Sequence, residues 1–336
     1  MSAAGHLLRL AVTLDAGGEG GAWRITRERG ADPAQVLVGR TPQDAARLVP
    51  LVFNLCGAAH GLAAAAALGL PQPADPAAMA RETVRDHALA ILHHWPAALG
   101  EAPDRDTLGL LARPGGDAGL TAALVGDARA LAAFSPAELE AWLRAAPTPT
   151  ARRLAQIRRF DPAEGRAALA ELTEADVACA LQAAAAPNPQ PADPLRETGA
   201  LGRTADTPLL AALMAAEGRS LFVRLLARLV DCLAALAAAA RAPAAPQWPQ
   251  SPPSLGLAPA ARGLLGHAAR VEDGRVAAYR ILSPSAWNLA PGGLLERAFA
   301  ALSPGPLGRR LAPLLVSAIN PCVPVVLAPA REAAHA

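Results

Sequence analysis

The chain has no lysine: all 31 of its basic residues are arginine, and its 336 residues carry a net charge of only +2. A field this weak argues against nucleic acid or an acidic membrane surface as a partner. Without lysine, and with no helical pattern after it, the cluster Gly17-Gly18-Glu19-Gly20-Gly21 reads as a turn and not as a phosphate loop. Four cysteines, at positions 56, 179, 232 and 322, are too few and too scattered for a disulfide framework. No charged-then-apolar leader opens the sequence, so a reduced, cytoplasmic protein is expected. A long uncharged apolar run is missing too. The most apolar window, 221–240, contains Arg224, Arg228 and Asp231, which fits a core helix with one wet edge and not a bilayer span. Aromatics make up only 3% of the residues while alanine is abundant, a bias that suits a helix-rich fold.

Local patterns supply the elements. Residues 7–14 read as a strand and 22–26 as its returning partner. Thr41-Pro42-Gln43-Asp44 is a helix start, with a threonine cap, proline at the first position and an acid to meet the dipole. An alanine-rich helix follows Asn54-Leu55-Cys56 and stops near Gly69. Helices are expected over 78–100, 135–145, 162–182 and 207–240, the last followed by a proline-rich linker over 242–253. Beyond it a strand to Val271, the turn Glu272-Asp273-Gly274 and a strand over 275–282 form a hairpin.

Two cysteines stand in contexts that suit a metal. Cys322 lies between Pro321 and Pro324, where a restricted backbone gives up little entropy on capture; the competing reading is an inert core thiol. Cys56 falls at a helix N-terminus, where the dipole favours thiolate, and His60 shares its face one turn on. These two are either ligands or a core thiol beside a satisfied core histidine. His93 and His94, adjacent on a helix, point to different faces, and Cys179 and Cys232 read as core residues.

With these residues in view, the chain resembles the large subunit of nickel-iron hydrogenases. Gly39-Arg40-Thr41-Pro42, then Leu55-Cys56-Gly57 and His60, resembles the segment carrying that family's first cysteine pair. Three further stretches resemble family motifs in the same order: Arg262-Gly263-Leu264-Leu265-Gly266-His267, Glu272-Asp273-Gly274-Arg275-Val276 and Pro284-Ser285-Ala286-Trp287-Asn288. Asn320-Pro321-Cys322 resembles the start of its C-terminal cysteine motif. The departures are specific. The second cysteine of each pair is replaced, by Ala59 and Val325; the final histidine is Ala328; the aspartate before the last pair is Asn320; the arginine before the first is Asn54; and the family's proton-passing glutamate falls at Ala34. Two cysteines without that acid cannot hold both metals and cycle hydrogen.

Such a degenerate relative is similar to the hydrogenase formation proteins of the HupK (HoxV) type, to which the stretch 197–203 also fits. The resemblance implies an α+β, predominantly helical fold with small β-hairpins near the N-terminus and in the C-terminal segment. It implies one intertwined domain over 1–336, with a hairpin region 1–40, a helical core 41–245 and a cysteine-bearing segment 246–336. It implies no enzyme but a maturation scaffold, which transiently holds iron with cyanide and carbonyl ligands, without nickel, and passes it to the large-subunit precursor. Cys56 and Cys322 would hold the iron, although they match the cysteines that bind nickel terminally in the family. Arg262 and Ser285 would contact cyanide, with His60 beside them. Without the resemblance, Arg262 reads as a surface ion pair and Ser285 as a turn residue. Partners would be the precursor and other maturation chaperones, and no tail processing is expected. The alternative is a metal-free module that docks onto those partners.

Overall fold

The computed structural model describes residues 6–15, 22–71, 75, 77–113, 115–128, 130–183, 189–191, 193–241 and 254–328. The glycine turn and the proline-rich linker expected from the sequence lie outside the described residues.

The two ends of the chain meet in one sheet. Strands β1 (His6–Asp15) and β2 (Ala22–Gly30) pair antiparallel, as their alternation predicts. The last described strand, Val325–Ala328, joins β1 in parallel, with Leu10 opposite Val325 and Thr13 opposite Ala328. Val325 and Ala328, which the motif resemblance matches to a cysteine and a histidine, are both taken up in this pairing.

Helix α1 (Pro42–Val52) begins as predicted, with the Thr41 hydroxyl accepting from the Asp44 N–H at 3.2 Å. After a single 3-10 turn the chain bends by 90° into α2 (Gly57–Ala67). Most of α2 is buried, and its alanines let other backbone come close. A Cβ on Gly256 would lie 1.9 Å from the Ala63 carbonyl oxygen, so only glycine lets the neighbouring strand rest on this helix. The expected helix over 78–100 is α3 (Ala78–Leu89) followed by a π-helical turn at Ala90–His94 and a short helix, Trp95–Ala98. His93 and His94 are both exposed there.

Two long helices expected from the sequence are each broken. The 162–182 stretch forms a turn at Gly165, a short strand, and only then the helix Glu174–Ala183, started by reciprocal hydrogen bonds between Thr173 and Asp176. Cys179 on that helix is exposed, not core, whereas Cys232 is buried as expected. The 207–240 stretch divides at Gly218 into Pro208–Glu217 and α4 (Leu221–Ala240), the latter capped by Ser220. The expected wet edge of α4 is dry: Arg224, Arg228 and Asp231 are all buried, each in an ion pair. This helix is the axis of the largest core cluster, packing on α3 and on the later helix Pro306–Ile319. Among the described residues no single helix is long and apolar enough to cross a membrane.

The C-terminal hairpin is the inner part of a three-stranded meander, β3 (Leu255–Ala260), β4 (Gly263–Glu272) and β5 (Arg275–Leu282). Asp273 and Gly274 both have positive φ, the conformation a tight two-residue turn needs. Strand β3 went unpredicted. It carries Pro259, which an edge strand tolerates because one side needs no donors.

Candidate functional site

One cleft, of about 1010 Å³ counted to its open mouth, gathers residues from both ends of the chain. Cys56, His60, Ser285 and Cys322 all line it. Arg262, the fifth residue singled out by the sequence, stands directly behind Cys56 and donates from Nη1 to its Sγ at 3.0 Å.

Each side chain is held from several directions. Cys56 ends the 3-10 turn that leads into α2. Cys322 follows the helix Pro306–Ile319, which Asn320 terminates in the left-handed conformation. Its N–H donates to the Ser285 hydroxyl at 2.8 Å, and the carbonyl of Pro324 accepts from the Leu10 N–H at 3.0 Å, so β1 pins the segment from the far side. Ser285 lies in the short helix Pro284–Asn288 and is not a mere turn residue. Because its oxygen accepts from Cys322, its own hydrogen remains to be donated. Arg262 occupies the turn between β3 and β4. Gly263 beside it has φ of 129°, and a Cβ there would meet Thr198 at 2.5 Å. Thr198 in turn accepts from the Leu264 N–H, while the Asn288 amide clamps both backbone groups of Thr198.

Arg262 is a buried ion pair and not a surface one. Its Nη2 reaches Asp86 Oδ1 at 2.6 Å. Asp86 is the hub of the site: its Oδ2 also accepts from Arg228 Nη2 at 3.0 Å and from the Asn320 amide at 2.6 Å. Burial opposes the charge on Asp86, but Arg228 and then Arg262 hold its carboxyl below the usual carboxylate range. Burial likewise opposes the charge on Arg262, and the Asp86 carboxylate is the main charge that offsets it. Arg228 also donates from Nε to His87 Nδ1 at 3.1 Å, so the His87 proton sits on Nε2, which meets Asp231 at 2.7 Å. Behind Arg262 a smaller cavity of about 410 Å³ is lined by Arg224, Arg228, Glu171 and Glu197.

The dipole argument for a Cys56 thiolate does not hold. The free N–H groups of Ala58 and Ala59 at the start of α2 are taken by the Glu82 carboxylate, at 2.8 and 3.5 Å. Burial then pushes the Cys56 thiol up to about 11, against the pull of Arg262. At neutral pH the resting group is a thiol. His60 stacks on Phe53 with ring centroids 4.8 Å apart and bonds through Nδ1 to His267 Nε2 at 2.9 Å. Burial lowers it to about 3, so its imidazole is neutral.

Sequence reasoning missed Asp86, Arg228 and Glu82. A signal existed: Glu82 and Asp86 are like charges at i and i+4 on one helix face, an arrangement that is unfavourable unless each finds its own partner. Here one caps α2 and the other binds two guanidinium groups.

Comparison with known proteins agrees with this architecture. The family described as nickel-dependent hydrogenase matches residues 173–299. The hydrogenase expression/formation protein HupK of Rhodobacter capsulatus is 36% identical over 304 residues, spanning 90% of this chain and 90% of that protein. The hydrogenase expression/formation protein HoxV of Cupriavidus necator is 30% identical over 356 residues, spanning 89% and 91%. Among solved structures, a NiFeSe hydrogenase variant from Desulfovibrio vulgaris Hildenborough aligns with a TM-score of 0.56 at 15% identity, covering 90% of this chain and 93% of that one. This last likeness bears on the fold alone. The chain therefore has the α+β fold of hydrogenase large subunits and belongs to the family of HupK and HoxV hydrogenase expression/formation proteins.

Proposed function

We propose that this protein serves hydrogenase assembly as a scaffold, transiently holding an iron centre that already carries cyanide and carbonyl and passing it to the large-subunit precursor. The observation that carries the reading is the convergence of Cys56 and Cys322, from opposite ends of the chain, on one cleft furnished with hydrogen-bond donors. Among the described residues no three histidine, cysteine or acidic groups converge on a point, so a bare ion would be poorly held. A low-spin iron that brings strong-field ligands needs fewer protein ligands, and two soft thiolates suit it while leaving it removable. The surroundings fit such a cargo. Arg262 offers a buried guanidinium whose Nε–H has no partner among the described residues, and Ser285 offers a hydroxyl hydrogen. Both complement acceptors bearing negative charge. Ala34, where the family's proton-passing acid would fall, is instead packed among Leu37, Val49 and Tyr279. In this reading the protein is not a catalyst and nickel is not part of its cargo. It works in the reducing cytoplasm, with other maturation chaperones as further partners.

Protein purified anaerobically from cells that contain the maturation machinery is expected to show cyanide and carbonyl infrared bands. Cys56→Ser and Cys322→Ser should each abolish them, and bands that persist unchanged in both variants would refute thiolate anchoring. A metal-free docking role is favoured by a different observation. Val52 and Leu55, 38% and 53% exposed, line the cleft, where burying them against a partner would be favourable. Iron-free protein that still captures the precursor would support that second reading.

A further inference from the structure

The cleft wall carries a hydrogen-bond chain whose direction can be worked out atom by atom. Tyr279 Oη lies 2.8 Å from His267 Nδ1, and His267 Nε2 lies 2.9 Å from His60 Nδ1. Tyr279 and His267 are fully buried, while His60 keeps 8% exposure where it lines the cleft. In a neutral imidazole one nitrogen donates and the other accepts, so the role of any one atom fixes all the others. Among the described residues the Tyr279 hydroxyl has no partner except His267. If His267 Nδ1 were the donor, the hydroxyl hydrogen would be buried and unpaired, the costly arrangement. Tyr279 therefore donates to Nδ1, His267 donates from Nε2 to His60 Nδ1, and the single proton of His60 is left on its own Nε2. That nitrogen makes no hydrogen bond among the described residues. The stack on Phe53 fixes the plane of the ring.

Resting on the reading of the cleft as the seat of a ligand-bearing iron, we propose that the Tyr279–His267 relay sets His60 as a specificity-determining donor. Its Nε2–H hydrogen-bonds an electron-rich acceptor on the cargo, the nitrogen of an iron-bound cyanide, and does not ligate the metal. Ligation through Nε2 would move the His60 proton to Nδ1, reverse both hydrogen bonds and strand the Tyr279 hydroxyl hydrogen. The relay thus admits an acceptor carried on a metal and disfavours a naked cation at the same place. Burial keeps both imidazoles neutral, which removes the protonated state as a competitor.

The test starts with metal-free, full-length protein. Long-range proton–nitrogen spectra of its histidine rings are expected to show His60 and His267 in the Nε2–H tautomer and unchanged between about pH 5 and 8. In Tyr279→Phe the fixed end of the relay is gone, and the Nε2–H form of His60 should fall to roughly half. An Nδ1–H tautomer at His60 in the wild type, or spectra unaltered by Tyr279→Phe, would overturn the relay. In iron-loaded protein the same substitution should shift a cyanide stretching band without loss of iron. A band that does not move would overturn the contact with the cargo. Absence of any cyanide band in the wild type would refute the iron reading, and the metal-free spectra keep that failure distinct from failure of the relay.

Discussion

Replacing Asp86 with alanine is expected to cost about 3–5 kcal/mol of stability, because it leaves buried charges without their counter-ion. Two guanidinium groups, on Arg262 and Arg228, share this carboxylate, and the Asn320 amide donates to it as well. Both guanidinium groups are buried, so neither can turn to water for compensation. The thermal midpoint should fall by roughly 10 °C. Asp86→Asn keeps one acceptor oxygen and loses the charge, so it should fall between the wild type and alanine. Denaturant titration of the three proteins provides the check. A loss for Asp86→Ala below about 1 kcal/mol, the range of a surface pair, would show that Asp86 does not hold the site together.

Iron loading is expected to tighten by about tenfold per pH unit through Cys56 alone, as long as the pH stays below its thiol value. The metal takes the thiolate and displaces a proton, and burial has pushed that proton's departure up to about 11. Each unit of rising pH therefore raises the competent fraction tenfold. Stability of the metal-free protein runs the other way. The folded Cys56 holds its proton more firmly than an unfolded thiol, whose value is about 8.5. Its contribution is complete below that value and is lost as pH climbs toward about 11. Iron retention against a chelator, followed from neutral to mildly alkaline pH, measures the first trend. Retention that does not change with pH would mean that Cys56 is not deprotonated on loading.

What the sequence revealed, and what it hid, follows the range of the interactions. The N-terminal hairpin, the Thr41 cap and the Asp273-Gly274 turn were legible because their determinants lie within a few residues. Strand β3 was hidden by Gly256 and Pro259, residues that weaken a strand signal; the first is required by close contact with α2 and the second is tolerated at an edge. The breaks at Gly165 and Gly218 were passed over because the flanking residues are strong helix formers; at Gly218 the signal was local, a glycine with positive φ that caps the helix through its N–H to Met214. The strand Val325–Ala328 could not be placed at all, since its partner β1 lies at the other end of the chain.

The site divides in the same way. Local patterning alone leads to a helix-rich protein with two notable cysteines. That Cys56 and Cys322 share one cleft with Ser285 and His60, backed by Arg262, was legible only through the ordered resemblance to hydrogenase motifs. The charged layer behind them was not legible. Arg228 sits in an apolar helix whose polar residues read as a wet edge, and only packing turns that edge inward toward Asp86. The state of Cys56 was misjudged for a comparable reason: the helix N-terminus is real, but Glu82 from another helix already occupies it.

X-ray absorption at the iron edge tests the central claim most directly, because it counts the sulfur atoms bound to the metal. Protein loaded anaerobically with the cyanide- and carbonyl-bearing iron is expected to show two sulfur neighbours, and neither Cys56→Ser nor Cys322→Ser is expected to retain that iron. An iron shell without sulfur, or with a sulfur count that neither substitution changes, would contradict the account.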